Sequence, residues 1–308
     1  MDPERISSAR NPKVKRLLAL QEKSSLRRES GLFVVEGRRE LEHCIAAGFV
    51  PEALFVCPEL FDGDGAALPG VRRAAVPEGR NTRGSIAGGP SRRDGGVSPE
   101  GELPQGQQHG GYPDSGPDVF YLAKEVYAKV AYRGGTEGVI AEVRAKGLKL
   151  QDLKLRNNPL VMVLESVEKP GNLGAVLRSA DAAGADAVLV CDPLTDLYNP
   201  NLIRASIGAV FTVPVVCCSS EEAIAWLKAG GIRILTAQLQ DSSPYYDVDM
   251  TCGTAIVMGT EATGLSDAWR KTADAHILIP MLGRLDSLNV SVSAAILLYE
   301  AVRQRQNL

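Results

Sequence analysis

Three segments of this 308-residue chain place polar and glycine residues at predicted strand-to-helix turns, where chemistry on an α/β fold is usually built. The first runs Glu165-Ser-Val-Glu-Lys-Pro-Gly-Asn172-Leu-Gly-Ala-Val-Leu-Arg178. Asn172 reads as the N-cap of a helix, with Arg178 about 1.7 turns further along it. Backbone N–H groups at a helix entrance favour an anionic group, and an arginine adds a forked donor. An ordinary capped helix with a surface arginine would show the same residues.

The second segment, Met258-Gly259-Thr260-Glu261-Ala-Thr-Gly264-Leu265-Ser, has the glycine spacing of a phosphate loop, but Leu265 stands where the phosphate-reaching lysine is required. No G-x-G-x-x-G opens a helix after the first strand of this half, so the dinucleotide fingerprint is missing too. A turn with a carboxylate and no lysine repels phosphates and suits a ligand with hydroxyls or positive charge, or a structural turn. The third segment, Ile279-Pro280-Met281-Leu-Gly283-Arg-Leu-Asp-Ser287-Leu288-Asn289-Val290, enters the last predicted helix, with Ser287 as its N-cap. Uncharged hydrogen-bonding groups in a partly apolar loop suit a neutral or zwitterionic cofactor. A site at these loops follows from the residues; its reaction does not follow from their spacing.

The elements that carry these loops are regular. Apolar runs at 160–164, 187–190, 213–217, 232–236, 254–258 and 277–279 alternate with helical patterns at 173–183, 199–206, 221–229, 267–271 and 288–305. Short, continuously apolar strands separated by helices predict a parallel sheet covered on both faces. The front half reads differently. Asn11-Pro12 starts a helix through Leu20, and strands are predicted at 32–36, 53–57, 72–76 and 138–143, with helices at 38–47 and 124–131. Residues 79–118 hold eleven glycines and five prolines with almost no aliphatic side chains, the composition of a disordered insertion. The expected division is a front α/β domain over 1–145, a linker over 146–158 and a second domain over 159–308.

Net charge is −3, which on average argues against a nucleic-acid partner. The average conceals a front block, Arg5 to Arg28, with eight basic residues against Glu22 alone. Arg10, Lys13, Lys15, Arg16, Arg27 and Arg28 are the candidate phosphate contacts, the alternative being a solvated helix face. Six cysteines without a CxxC pair and three scattered histidines give no metal site and no histidine-based triad. The longest uncharged apolar stretch, 205–220, is too short to span a bilayer, and the first twenty residues hold no secretory core, so a cytoplasmic protein is expected.

In order and spacing, Asn172-Leu-Gly-Ala-Val-Leu-Arg178, Gly259-Thr-Glu261-Ala-Thr-Gly264-Leu and Ile279-Pro-Met-Leu-Gly283 followed by Ser287-Leu-Asn289-Val resemble the three signature motifs of the SpoU/TrmH family of SPOUT RNA 2′-O-ribose methyltransferases. The resemblance covers about residues 160–308. The front half, with Phe33-Val-Val-Glu-Gly37 and Gly134-Gly-Thr-Glu-Gly-Val-Ile-Ala141, looks like the RNA-binding domain that many members carry, similar in fold to a small ribosomal protein. The insertion has no counterpart, and Thr260 and Ala262 replace the family's frequent Asn and Gly.

The resemblance implies a methyltransferase domain tied in a deep trefoil knot, S-adenosylmethionine as cofactor and a homodimer with the last helix near its two-fold axis. Asn172, Arg178, Glu261, Ser287 and Asn289 match the family's catalytic and ribose-positioning residues. Met258, Gly259, Thr260, Glu261, Gly264, Ile279, Pro280, Met281, Leu288, Asn289 and Val290 match its cofactor loops. Ribosomal RNA is the implied substrate, with tRNA as the alternative; a non-catalytic RNA-binding or ribosome-assembly factor on the same fold is the reading from another class. Leu265 disfavours a nucleoside triphosphatase.

Overall fold

The computed structural model describes residues 3–61, 116–132, 137–260 and 263–306. The strand expected over 72–76 and nearly all of the glycine-rich insertion lie outside them. Among the described residues the strands form two sheets. The front sheet has the order β1 (Glu4–Ile6), β4 (Asp118–Leu122), β3 (Pro51–Val56), β5 (Val139–Arg144), β2 (Leu32–Glu36). β5 runs antiparallel to both of its neighbours, and the other pairings are parallel.

Local chemistry accounts for most of the front helices. α1 (Pro12–Glu22) opens as expected, because the Asn11 side chain accepts from Lys13 N at 2.9 Å and proline occupies the first helical position. α2 (Ser24–Ser30) was not anticipated; it restarts after the break at Lys23 and stops at Gly31 in the left-handed region, φ 65°. α3 (Arg38–Ala46) and α4 (Lys124–Val130) complete the set. Strand alternation then sorts the side chains: Leu32, Val34, Phe55 and Ile140 pack against α1 and α4, while Phe33, Val35, Leu54 and Val143 face the other way.

The rear sheet is wholly parallel, in the order β10 (Ser243–Pro244), β12 (Ala275–Leu278), β9 (Arg233–Ala237), β11 (Thr254–Met258), β6 (Leu160–Glu165), β7 (Ala187–Cys191), β8 (Val215–Cys218). Leu160, Met162, Leu164, Ile256 and Met258 belong to the core that holds α5 (Pro170–Ala182), α6 (Pro200–Ser206), α7 (Ala209–Thr212) and α10 (Val290–Gln306). Val161, Val163, Ala255 and Val257 face α8 (Ser220–Ala229) and α9 (Asp267–Thr272). Burial on both faces is why these strands read as unbroken apolar runs. Of these elements, α7 and the two-residue β10 carried no readable pattern. Among the described residues no helix is long and apolar enough to cross a membrane.

A single hydrophobic cluster continues from the rear sheet into one face of the front sheet. Phe33 stacks on Tyr198 at 4.2 Å between ring centroids, and Phe49 meets Phe211 edge-on at 5.2 Å. Tyr198 Oη donates to the Lys146 carbonyl at 2.5 Å. The connecting segment is packed as well, through a short 3-10 turn, Leu150–Asp152, whose Leu150 is buried. Arg27 corrects an expectation. Instead of facing a phosphate, its side chain is 4% exposed; Nε donates to Asp196 at 2.5 Å and Nη1 to the Leu20 carbonyl at 2.6 Å. The break at Lys23 turns this side chain inward, against the rear half.

Candidate functional site: two clefts at the carboxyl edge of the parallel sheet

The first and third loops meet through their asparagines. α5 begins at Pro170, one turn earlier than expected, with Lys169 as N-cap and no side-chain capping bond. Asn172 therefore sits within the first turn rather than capping it, which frees its amide for contacts across the loop. Its Oδ1 accepts from Asn289 Nδ2 at 3.2 Å, joining residues 117 positions apart. Asn289, rather than Ser287, caps α10: its Oδ1 accepts from Ser291 N at 2.9 Å and from Ser291 Oγ at 2.6 Å. Ser287 lies before the helix, with Oγ 3.3 Å from Asp286 Oδ1. Arg178 is exposed on α5. Six residues of helix set it about 9 Å along and roughly 120° around the axis from Asn172, so the two point in different directions.

The second loop is held by its glycines and by a buried anchor. Thr260 and Gly264 pair as an antiparallel bridge, with Gly264 at φ 69°. A Cβ on Gly259 would overlap the Gly264 carbonyl, so no other residue fits there. Thr263 N donates to Thr260 Oγ1 at 3.0 Å. Glu261, expected in catalysis and in cofactor binding, lies outside the described residues. Behind the loop, Glu165 at the end of β6 accepts from Ser266 N at 2.8 Å. Ser220 Oγ donates to Asp192 at 2.6 Å, lies 3.3 Å from Glu165 and accepts from the indole of the fully buried Trp269 at 3.0 Å. This network fixes the start of α9, and sequence reasoning passed over it because its members lie on four separate elements.

Two clefts open where these loops converge. The larger, about 390 Å³, is lined by Met258, Gly259, Thr260, Gly264, Ile279, Met281, Leu288 and Val290 among the residues expected to hold a cofactor, and also by Ser287. Pro280 and Asn289, expected there too, do not line it. The loop after β9, Gln238-Leu239-Gln240, contributes a wall that the sequence did not flag; its one signal was its place after a parallel strand. The smaller cleft, about 120 Å³, is lined by Val167, Glu168, Lys169 and Asn172 and shares Gly259, Thr260 and Val290 with the larger. A donor held in one and an acceptor held in the other would meet across that common wall. A separate hollow, about 900 Å³, lies in the crease between the two sheets, and none of the three loops reaches it.

Among the described residues, the front cations divide into those held in ion pairs and those exposed on the surface. Arg16 is bound by the buried Glu142 through both Nε and Nη2. Burial pushes the Glu142 carboxyl up against the pull of Arg16, while Glu142 raises the Arg16 guanidinium. Lys13 pairs with Glu4 at 2.5 Å and lies over the Phe120 ring at 4.0 Å. Arg10, Lys15 and Arg28 are exposed.

Known proteins resemble this chain. The SpoU rRNA methylase family model matches residues 159–299, which contain all three loops, and an MRM3-like substrate binding domain model matches residues 11–79. The 23S rRNA (guanosine(2553)-2′-O)-methyltransferase RlmP of Bacillus subtilis is 32% identical over 60% of this chain and 73% of its own length. The chain belongs to the SpoU/TrmH family. The 23S rRNA (guanosine-2′-O-)-methyltransferase RlmB of Vibrio vulnificus, another relative, is 39% identical over 57% of this chain and 73% of its own. Among solved structures, an RNA 2′-O ribose methyltransferase is 33% identical, with a TM-score of 0.74, covering 98% of this chain and 99% of that one. The SpoU methyltransferase AviRb of Streptomyces viridochromogenes, solved in complex with AdoMet, is 26% identical, with a TM-score of 0.76, covering 97% and 100%.

The larger cleft suits the cofactor found in that structure. Its volume is in the range of small-molecule sites, about 300–1,000 Å³. It also holds the two buried side-chain polar atoms that, among the described residues, have no hydrogen-bond partner: Gln238 Oε1 and Arg270 Nε. Buried polar atoms are nearly always paired, so an unpaired acceptor and donor on one cleft wall fit a ligand that brings both.

Proposed function

We propose that this chain transfers a methyl group from S-adenosylmethionine to a ribose 2′-hydroxyl of RNA, with ribosomal RNA as the substrate and tRNA as the alternative. The observation that carries this reading is the Asn172–Asn289 contact beside the wall shared by the two clefts. In a chain of this family it joins the first and third motifs where a hydroxyl would meet a methyl donor. The cofactor, held by the loops at 258–264, 279–281 and 287–290, supplies an electrophilic methyl on a sulfonium.

The chain's own residues supply positioning, which carries much of the rate of an in-line displacement. Asn172 and Asn289 bracket the ribose, and Ser287 flanks it from the cofactor side. Glu261 attracts the cationic ligand or orients the loops. A guanidinium is a poor proton acceptor, so the role of Arg178 here is to fix the hydroxyl or its neighbouring phosphate. Arg178→Lys keeps the charge and loses the fork; we expect methyl transfer to fall at least about tenfold, and full activity would sink the positioning role.

The finer architecture belongs to the same reading. Residues 1–145 form a ribosomal-protein-like RNA-binding domain, 146–158 the linker and 159–308 a knotted methyltransferase domain, the knot closing where the segment after β12 returns to set α10 against α5. Arg10, Lys15 and Arg28 remain the candidate phosphate contacts. The active form is a homodimer in the cytoplasm. On the last helix Val290 and Leu297 are buried in the protomer's own core, whereas Val292 and Tyr299, with Leu282 and Leu285 before the helix, are exposed and suit a second copy. The direction of Arg178 away from Asn172 fits service to that second copy's site.

Labelled methyl transfer to total RNA, fractionated by size and followed by mapping of the modified nucleotide, tests the function. Label on a ribose of ribosomal RNA is the expected result, and label on tRNA selects the alternative. Cofactor binding without incorporation into any RNA, or neither, would leave a non-catalytic RNA-binding factor.

A further inference from the structure

We infer that Arg270 and Gln238 together grip the zwitterionic amino-acid end of the cofactor, Arg270 its carboxylate and Gln238 its ammonium. The assignment rests on the cofactor reading above and adds two residues outside the three motifs. Both side chains line the larger cleft, and both carry a buried atom without a protein partner. The Gln238 amide cannot be turned over. Its Nε2 donates to the Gln240 carbonyl at 2.9 Å, and a flip would set two oxygens against each other, so Oε1 remains an acceptor in want of an N–H.

Arg270 is a donor at every nitrogen and stays charged, so its buried Nε–H calls for an anionic acceptor. The backbone that carries Arg270 is anchored. Trp269, the preceding residue, is fully buried and bonded to Ser220, and Arg270 Nη2 comes within 3.5 Å of where a Gly264 Cβ would lie. Asp286 is the other charged residue among the described residues of the cleft wall. Arg270, Asp286 and the Gln238 acceptor around a single cleft complement a group that is itself both anion and cation. Neither adenine nor ribose carries a carboxylate for Arg270.

Calorimetry with S-adenosylhomocysteine, which has the amino-acid end, and 5′-methylthioadenosine, which lacks it, separates the possibilities. Wild-type protein should bind both. Arg270→Met and Gln238→Leu should each weaken S-adenosylhomocysteine at least about tenfold, the loss expected for a hydrogen bond to a charged group, while changing methylthioadenosine less than about twofold. Arg270→Lys, which keeps the charge without the Nε–H, should fall between wild type and Arg270→Met; it guards against a loss that reflects folding. Unchanged homocysteine binding, or equal loss on both ligands, overturns the assignment while leaving the function standing. Failure of the wild-type protein to bind S-adenosylhomocysteine overturns the cofactor reading itself.

Discussion

In the front half Arg16 is held by Glu142, Arg27 by Asp196 and Lys13 by Glu4, whereas in the rear cleft Gln238 Oε1 and Arg270 Nε are buried with no protein partner. Both regions contain buried or half-buried cationic groups, but they use them differently. A paired buried charge is a strut, because removing its partner strands the other charge in a poorly solvating interior. An unpaired buried donor burdens the ligand-free protein and gains its partner on binding, which is how a ligand site differs electrostatically from a structural joint. Charge alone, read along the sequence, does not separate the two cases. Their surroundings do.

Substitution of the two arginines tests that contrast most sharply. Arg27→Met leaves the nearly buried Asp196 carboxylate without its counter-charge, with Tyr198 N still donating to it, and should lower stability by about 3 kcal/mol in denaturant titrations. Arg270→Met removes a donor that had no partner and keeps the apolar stem packed, so the ligand-free protein should change by no more than about 0.5 kcal/mol. Equal destabilisation by both would break the comparison.

Asn289→Asp separates structure from function within the site itself. Aspartate still caps α10 through its oxygens but loses the Nδ2 donor to Asn172, so melting should stay close to wild type while methyl transfer falls about 100-fold. A loss of melting temperature as large as the loss of rate would make Asn289 a structural cap alone.

Arg16→Ala probes a strut that is only half buried, and its effect should be smaller, about 1–3 kcal/mol. It should also depend on pH. Burial raises the Glu142 carboxyl, so Glu142 favours the fold most when protonated, and that contribution fades as pH rises through its folded value. Without Arg16 the ionised form is stranded. Melting curves should therefore show a larger deficit at pH 8 than at pH 4; a deficit independent of pH would assign the loss to packing of the arginine stem.

Smallest is the effect at the exposed cations. Lys15→Ala should leave stability unchanged and weaken RNA binding a few-fold, lowering the slope of log affinity against log salt by about one. If Arg27→Met shifted that slope while its stability was unaffected, Arg27 would be a phosphate contact and not a strut.

The chain's own order determined whatever depends on neighbouring residues. Asn11-Pro12 set the start of α1, the unbroken apolar runs announced the parallel strands of the rear half, and the three loops carried enough residue identity to reveal their family. Even local capping was misread twice, at Asn172 and at Ser287, because a proline two residues upstream and an asparagine two residues downstream competed for the helix start and won. Tertiary structure alone decided which cations are struts, since Glu142 and Asp196 lie 126 and 169 positions from the arginines they bind. It alone brought Asn172 to Asn289 and set Gln238 and Arg270 around one cleft. Such pairings depend on sheet order and on what remains unpaired after packing, and neither is written in the spacing of residues along a strand or a helix.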